Sequence, residues 1–234
     1  MLDLIGTIAE VALVAILAGL LIGAMSLALR TRIAAFVGVG LWLAALVAIG
    51  AMGGFEPGAT GPVPAVGIAL FAALAAGLIA YVRVSRFRER VLQIPMPVLI
   101  AANIGRVLGV FFLILYGVGR LPAPFAPSAG WGDVAVGLIA LPLAAMAASG
   151  SVRPIWISLW NALGMLDLIT AVALGVTSQP GAPLRVFSGS AEQVTTLPWV
   201  LIPTLLVPAY FLMHLLILRK LRAPRAVSTA ALAA

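Results

Sequence analysis

The stretch Val11-Ala12-Leu13-Val14-Ala15-Ile16-Leu17-Ala18-Gly19-Leu20-Leu21-Ile22-Gly23-Ala24-Met25-Ser26-Leu27-Ala28-Leu29 decides the fold, because it is apolar throughout and carries no charge. At about 1.5 Å per residue, a helix of that length extends about 28 Å, close to the roughly 30 Å hydrocarbon core of a bilayer. The residues ahead of it begin Met1-Leu2-Asp3, with no Lys or Arg. A secretory signal peptide has a basic leader and a shorter apolar run, so a retained helix is expected.

Working outward, the same character recurs along the whole chain. Of 234 residues, 63% are hydrophobic and 9% charged, with a mean hydropathy of +1.20. Soluble domains run at roughly 45–50% apolar and about 25% charged. A water-soluble globule of this length cannot bury so much apolar surface, so lipid is the expected solvent. Cysteine is absent, which excludes disulfides, thiolate metal sites and cysteine nucleophiles. The net charge of +7 reads as loop charge that sets membrane orientation and not as a nucleic-acid footprint.

Charges and Pro/Gly clusters divide the chain into seven expected transmembrane helices, at about 4–29, 33–52, 63–82, 97–118, 132–148, 154–176 and 197–218. The fold class is therefore an all-α polytopic membrane bundle, one transmembrane domain over residues 1–234. Placing the C-terminus inside puts Arg30, Arg32, Arg83, Arg86, Arg88, Arg90, Arg153, Arg219, Lys220, Arg222 and Arg225 on the cytoplasmic face. Only Arg120 and Arg185 then face outward, so the N-terminus is expected outside and the C-terminus inside. The segment Leu121-Pro122-Ala123-Pro124-Phe125-Ala126-Pro127 is expected to interrupt the helices, since each proline lacks an amide donor. It reads as an interfacial loop anchored by Trp131, or as a re-entrant segment.

Ionisable groups at membrane depth are functional candidates by default. Here they are Glu10, Arg106, Asp133, Asp167 and His214, supported by Asn103 and Asn161. Counted from the cytoplasmic end, His214 falls at roughly 6 Å, Asn103 and Asn161 at roughly 9–10 Å, and Arg106 at roughly 13 Å. Asp167 falls at roughly 20 Å and Asp133 at roughly 25 Å. An arginine at a helix centre costs about 2.5–3.5 kcal/mol even on insertion scales, so Arg106 needs an anion or a watered cavity. Asp167 is the expected partner, with Asn103 one turn from Arg106 on the same face. Such a pair either pins helix packing or lines a pathway.

Asp133 follows Gly130-Trp131-Gly132 and reads as the N-cap of the fifth helix, where a carboxylate suits orphan amides and the helix dipole. His214 is the only histidine. It excludes bis-histidine haem ligation and makes a poor zinc site, leaving an interfacial residue or a proton relay. Retinal is excluded too, because Lys220 is the only lysine and falls past the expected end of the last helix. Pro198, Pro203 and Pro208 predict a bent seventh helix, either static or lining a cavity.

Two stretches carry a family likeness. Arg106-Val107-Leu108-Gly109, followed by Leu121-Pro122-Ala123-Pro124-Phe125-Ala126 and Gly130-Trp131-Gly132-Asp133, is one. Leu197-Pro198-Trp199-Val200-Leu201-Ile202-Pro203 is the other. Together they resemble a group of uncharacterised bacterial multi-pass membrane proteins, over about residues 102–218. The resemblance implies no activity.

The expectation is an inner-membrane protein acting as a small-solute or proton conduit, with Arg106, Asp167, Asn103, Asn161, Asp133 and His214 along its path. One alternative is a non-catalytic accessory subunit whose small-residue faces, Gly19 with Gly23 and Gly105 with Gly109, dock a partner. Another is a sensor using the 177–196 loop. No enzyme, cofactor or metal site is expected, because no ligand cluster or nucleophile–base constellation is visible. Expected partners are membrane lipid and either further copies of the chain or another membrane subunit, not nucleic acid.

Overall fold

The computed structural model describes residues 1–60, 64–179, 185–187 and 190–223. Val63, Arg225 and positions 180–184 and 188–189 of the 177–196 loop lie outside the described residues. Among the described residues every regular element is helical: α1 (Leu2–Ala24), α2 (Leu29–Ala51), α3 (Ala65–Arg83), α4 (Ser85–Gln93), α5 (Met96–Ala102), α6 (Val110–Gly117), α7 (Phe125–Ala148), α8 (Pro154–Thr177) and α9 (Val207–Arg222). A 3-10 segment, Asn103–Gly109, joins α5 to α6 in one line, and a π turn, Ile202–Leu206, leads into α9. Seven spans are long and apolar enough to cross a membrane.

Several helix ends differ from expectation, each for a local reason. α1 stops at Ala24 and α2 already begins at Leu29, so Arg30 and Arg32 sit in the first turn of α2 and not in a linker. The basic run after α3 is not a simple stop: beyond an extended Val84 it forms α4, which carries Arg86, Arg88 and Arg90. α7 begins at Phe125, seven residues before the expected start at 132. Pro127 is its third residue, where a helix amide has no intrahelical partner to lose. The proline-rich stretch is therefore partly helix, and Asp133 lies inside α7, two turns beyond any capping position. The last helix starts late, because Pro203 and Pro208 lack the amides needed to close α-helical bonds. The chain there widens to π geometry, and Thr204 Oγ1 donates to the Val200 carbonyl at 2.6 Å.

The α5–α6 line is the most enclosed span, with 50% of its apolar window buried, against 6% for α2. Around it the main core joins Leu13 and Leu17 of α1, Leu99 and Ile100 of α5, and Val136 and Ala140 of α7. Leu168 of α8 and Met213 and Ile217 of α9 complete it. A second cluster, including Phe111, Phe112, Leu115, Phe125 and Trp199, packs toward the other end.

The two ends are chemically distinct. At one, Arg90 donates to the Ser26 carbonyl at 2.5 Å and Lys220 to the Leu92 carbonyl at 2.7 Å, tying the α1–α2 turn, α4 and α9 together. Lys220 thus lies in the last turn of α9, not past its end. At the other, Asp3 accepts from Arg120 and from Trp199 Nε1, both at 2.8 Å.

Candidate functional site

The site begins with a close backbone crossing. A Cβ on Gly137 would lie 2.7 Å from the Val107 amide nitrogen, and one on Gly130 would lie 3.1 Å from the Gly109 carbonyl oxygen. A Cβ on Gly109 would overlap the Asp133 side chain. Glycine on both sides lets α7 lie directly against the 3-10 segment. Arg106, at the centre of that segment, is left only the interior between α7, α8 and α9 to occupy. Its side chain is 0% exposed.

An arginine has five N–H donors and no acceptor. Arg106 directs Nε to Asp133 Oδ1 at 2.6 Å and Nη2 to Asp167 Oδ2. Nη1 donates to the Gly164 carbonyl and to His214 Nε2, each at 3.2 Å. Because Nε2 must accept, the imidazole proton sits on Nδ1, which donates to Asn161 Oδ1 at 2.8 Å. His214 is therefore neutral in this network. Its ring packs against Trp160 at 5.4 Å, and Trp160 Nε1 donates to the Val136 carbonyl at 3.0 Å. Tyr210 covers the guanidinium with its ring centre 5.8 Å from Cζ.

Glycines again make room. A Cβ on Gly164 would approach His214 Nε2 to 2.7 Å and Arg106 Nη1 to 3.2 Å, and one on Gly132 would overlap the Asp167 carboxylate.

The structure thus gathers Arg106, Asp133, Asp167, Asn161 and His214 into one cluster. The depth ladder read from sequence is corrected at His214, which lies eight residues before the end of α9 and so about 12 Å from it. Asp133 keeps its depth, about 22 Å from the Ala148 end of α7, but lies eight residues inside the other end of that helix. Asp133 is an ion-pair partner, not a cap. Asn103 does not join: its Nδ2 donates to the Leu99 carbonyl at 2.9 Å, and its Oδ1 has no partner among the described residues. Gly105 and Gly109 face inward, against Leu13, Tyr210 and Asp133, so they offer no docking surface. Gly19 and Gly23 have nothing within 4 Å.

With both aspartates ionised, one guanidinium faces two carboxylates, and the cluster holds one surplus negative charge. The carboxylates retain some access, with side chains 16% and 13% exposed. Two cavities adjoin the cluster. One of about 30 Å³ is lined by Glu10, Arg106, Asp133 and Tyr210 among apolar neighbours. The other, about 70 Å³ and mostly apolar, runs from Asp133 past Leu168 to Gln179. Asp133 borders both. Among the described residues no group of three or more His, Cys, Asp or Glu is placed to hold a metal ion. Tyr210 was not singled out from sequence; its signal is the i, i+4 spacing with His214 on the buried face of α9.

Residues 63–222 match a family described only as a domain of unknown function, DUF8737. The chain belongs to the DUF8737 family. The match is consistent with the likeness to an uncharacterised family read over residues 102–218. No curated protein and no solved structure matches the chain. Every partner of Arg106 lies within the DUF8737 domain, whereas α1, α2 and Glu10 lie before it.

Proposed function

We propose that this protein is a multi-pass protein of a bacterial inner membrane that conducts or carries protons through the cluster centred on Arg106. The observation that supports it is a fully buried arginine shared by two aspartates, with one surplus carboxylate beside two cavities. The cavity sizes favour protons over solutes. At about 10–15 Å³ of accessible volume per water, the two cavities have room for on the order of two and five waters. Ligand pockets for organic solutes run at roughly 300–1,000 Å³.

Lipid as the surrounding solvent is supported by the apolar surface. Leu4, Ile8, Ile16, Leu29, Leu41 and Leu163 are among many large side chains that stand exposed, far beyond the patches soluble monomers tolerate. The basic end, with Arg30, Arg32, Arg83, Arg86, Arg88, Arg90, Arg153, Arg219, Lys220 and Arg222, is proposed to face the cytoplasm. The N-terminus is then outside. A reporter active only in the cytoplasm, fused after Arg222, should report activity; activity of a periplasm-only reporter at that site would reverse the orientation.

Purified protein in vesicles loaded with a pH-sensitive dye tests the conduit. Under an imposed membrane potential, wild-type vesicles should change internal pH faster than protein-free ones, and Asp133→Asn should lose the difference. Wild-type vesicles no faster than lipid alone would sink the reading.

The accessory-subunit reading has its own support in α2, where Leu46 is the one buried residue of the helix and Gly38 and Gly40 have nothing within 4 Å. There the Arg106 cluster pins the packing, and α2 serves as the partner face. Isolation from native membranes in a larger complex, lost when Gly38 and Gly40 are replaced by Leu, would favour it over the conduit.

A further inference from the structure

Among the described residues, Glu10 is the carboxyl group least accounted for. It lies in the third turn of α1, 1% exposed, and neither carboxyl oxygen has a hydrogen-bond partner among the described residues. The Tyr210 hydroxyl is also buried without a partner. Both side chains line the cavity of about 30 Å³, together with Arg106 of the 3-10 segment and Asp133 of α7. Those three are the titratable or charged groups that meet Glu10 there; Asp3, on its own helix, lies two turns away. Arg106 does not pair with Glu10: four of its five N–H groups go to Asp133, Asp167, Gly164 and His214, and neither Glu10 oxygen has a partner among the described residues.

A buried carboxylate with neither cation nor donor against it costs far more than the neutral acid. Glu10 therefore needs a bound proton or a bound metal cation. The cavity offers three oxygen-bearing side chains, with a guanidinium in the wall and phenyl and aliphatic groups making up most of the rest. Hard cations take about six or more oxygens, more than this wall supplies. A proton needs only one.

We propose that Glu10 is a proton-holding site, hydrated through this cavity, that exchanges its proton with Asp133 by way of water and the Tyr210 hydroxyl. The O–H bond of the Glu10 acid breaks as one forms on Asp133. Glu10 becomes the carboxylate and Asp133 the neutral acid, so the net charge of the region does not change and Asp167 remains the ionised partner of Arg106. The site itself stands apart from the conduit reading; the transfer to Asp133 rests on it.

Infrared spectroscopy of the full chain in lipid, with glutamate carboxyls labelled with carbon-13, tests the site without any mutation. The chain has four glutamates, and Glu56, Glu89 and Glu192 are exposed. The expected result is a label-shifted, deuterium-sensitive carboxylic acid band at neutral pH, lost in Glu10→Gln and kept in Asp133→Asn. Only carboxylate bands in the wild type would overturn the site. So would an acid band that emerges only when sodium and potassium are withdrawn, since a metal cation then occupies it. The vesicle assay separates the two readings. An acid band without wild-type flux upholds the site and ends the conduit. Wild-type flux that Glu10→Gln leaves unchanged overturns the transfer step.

Discussion

Arg120 and Arg106 are both held by aspartates, and their surroundings make them different interactions. Arg120 meets Asp3 through two nitrogens, at 2.8 and 3.2 Å, and donates Nε to Gln193 at 3.0 Å. Its side chain is 32% exposed and that of Asp3 is 50% exposed. Either group can turn to water if the other is lost. Arg106 has no such recourse, because four acceptors from α7, α8 and α9 surround it and its side chain is wholly enclosed. Exposed ion pairs contribute about 0–1 kcal/mol. Removing one member of a buried pair costs about 3–5 kcal/mol, since the remaining charge is left uncompensated. One pair sits at an end of the bundle, and the other sits where three helices meet.

The sharpest way to break this contrast is Arg106→Leu. It leaves Asp133 and Asp167 facing one another without a cation, and a loss of about 3–5 kcal/mol is expected. Thermal unfolding in detergent would show it as a collapse in the yield of folded protein. Arg106→Lys should recover only part, because an ammonium cannot reproduce the fork that serves several acceptors at once. The reciprocal exchange Arg106→Asp with Asp167→Arg sharpens the point. A self-contained pair would be rescued by it. Here Asp133, the Gly164 carbonyl and His214 also depend on an arginine at position 106, so no rescue is expected. Recovery of wild-type melting would show that Asp167 alone matters.

Next in size are the glycines that admit the cluster. Gly132→Ala drives a methyl into the Asp167 carboxylate, and Gly164→Ala drives one against His214 and Arg106. Overpacking of this kind costs about 1–3 kcal/mol. Gly19→Ala, in open space, is the control and should leave melting unchanged.

The distinction between the two arginines was half legible in the sequence. Apolar runs of bilayer length located the seven spans, and an arginine inside one of them announced a buried partner. Asp167 could be named because it sits well within its helix and has no capping role to explain it. Asp133 could not, because Gly130-Trp131-Gly132 and three prolines imitate a helix start, and Pro127 hides in a first turn that tolerates it. Once that boundary was misplaced, Asp133 read as a cap; at His214 it was the depth count that failed, because α9 continues to Arg222. Period and composition cannot report a 3-10 segment, which lies where a neighbouring backbone comes close, and Pro203 and Pro208 announce a bend without saying that it takes π geometry. The openness of Arg120 is equally invisible, because it depends on Asp3 and Gln193 arriving from remote parts of the chain.

The smallest effect tests the other half of the contrast. Arg120→Ala removes the bond to Gln193 and both bonds to Asp3, yet Asp3 still accepts from Trp199 Nε1 at 2.8 Å and keeps access to water. The expected loss is about 0.2–1 kcal/mol. It should shrink further in high salt, because an exposed pair is screened over a Debye length of roughly 10 Å at 0.1 M. The Arg106→Leu loss should hardly respond to salt, since mobile ions do not reach an enclosed guanidinium. Melting both variants at low and high ionic strength therefore separates the sites by environment, not by chemistry. Equal salt responses would mean that water and ions reach Arg106 as freely as Arg120, and that the central arginine is not enclosed at all.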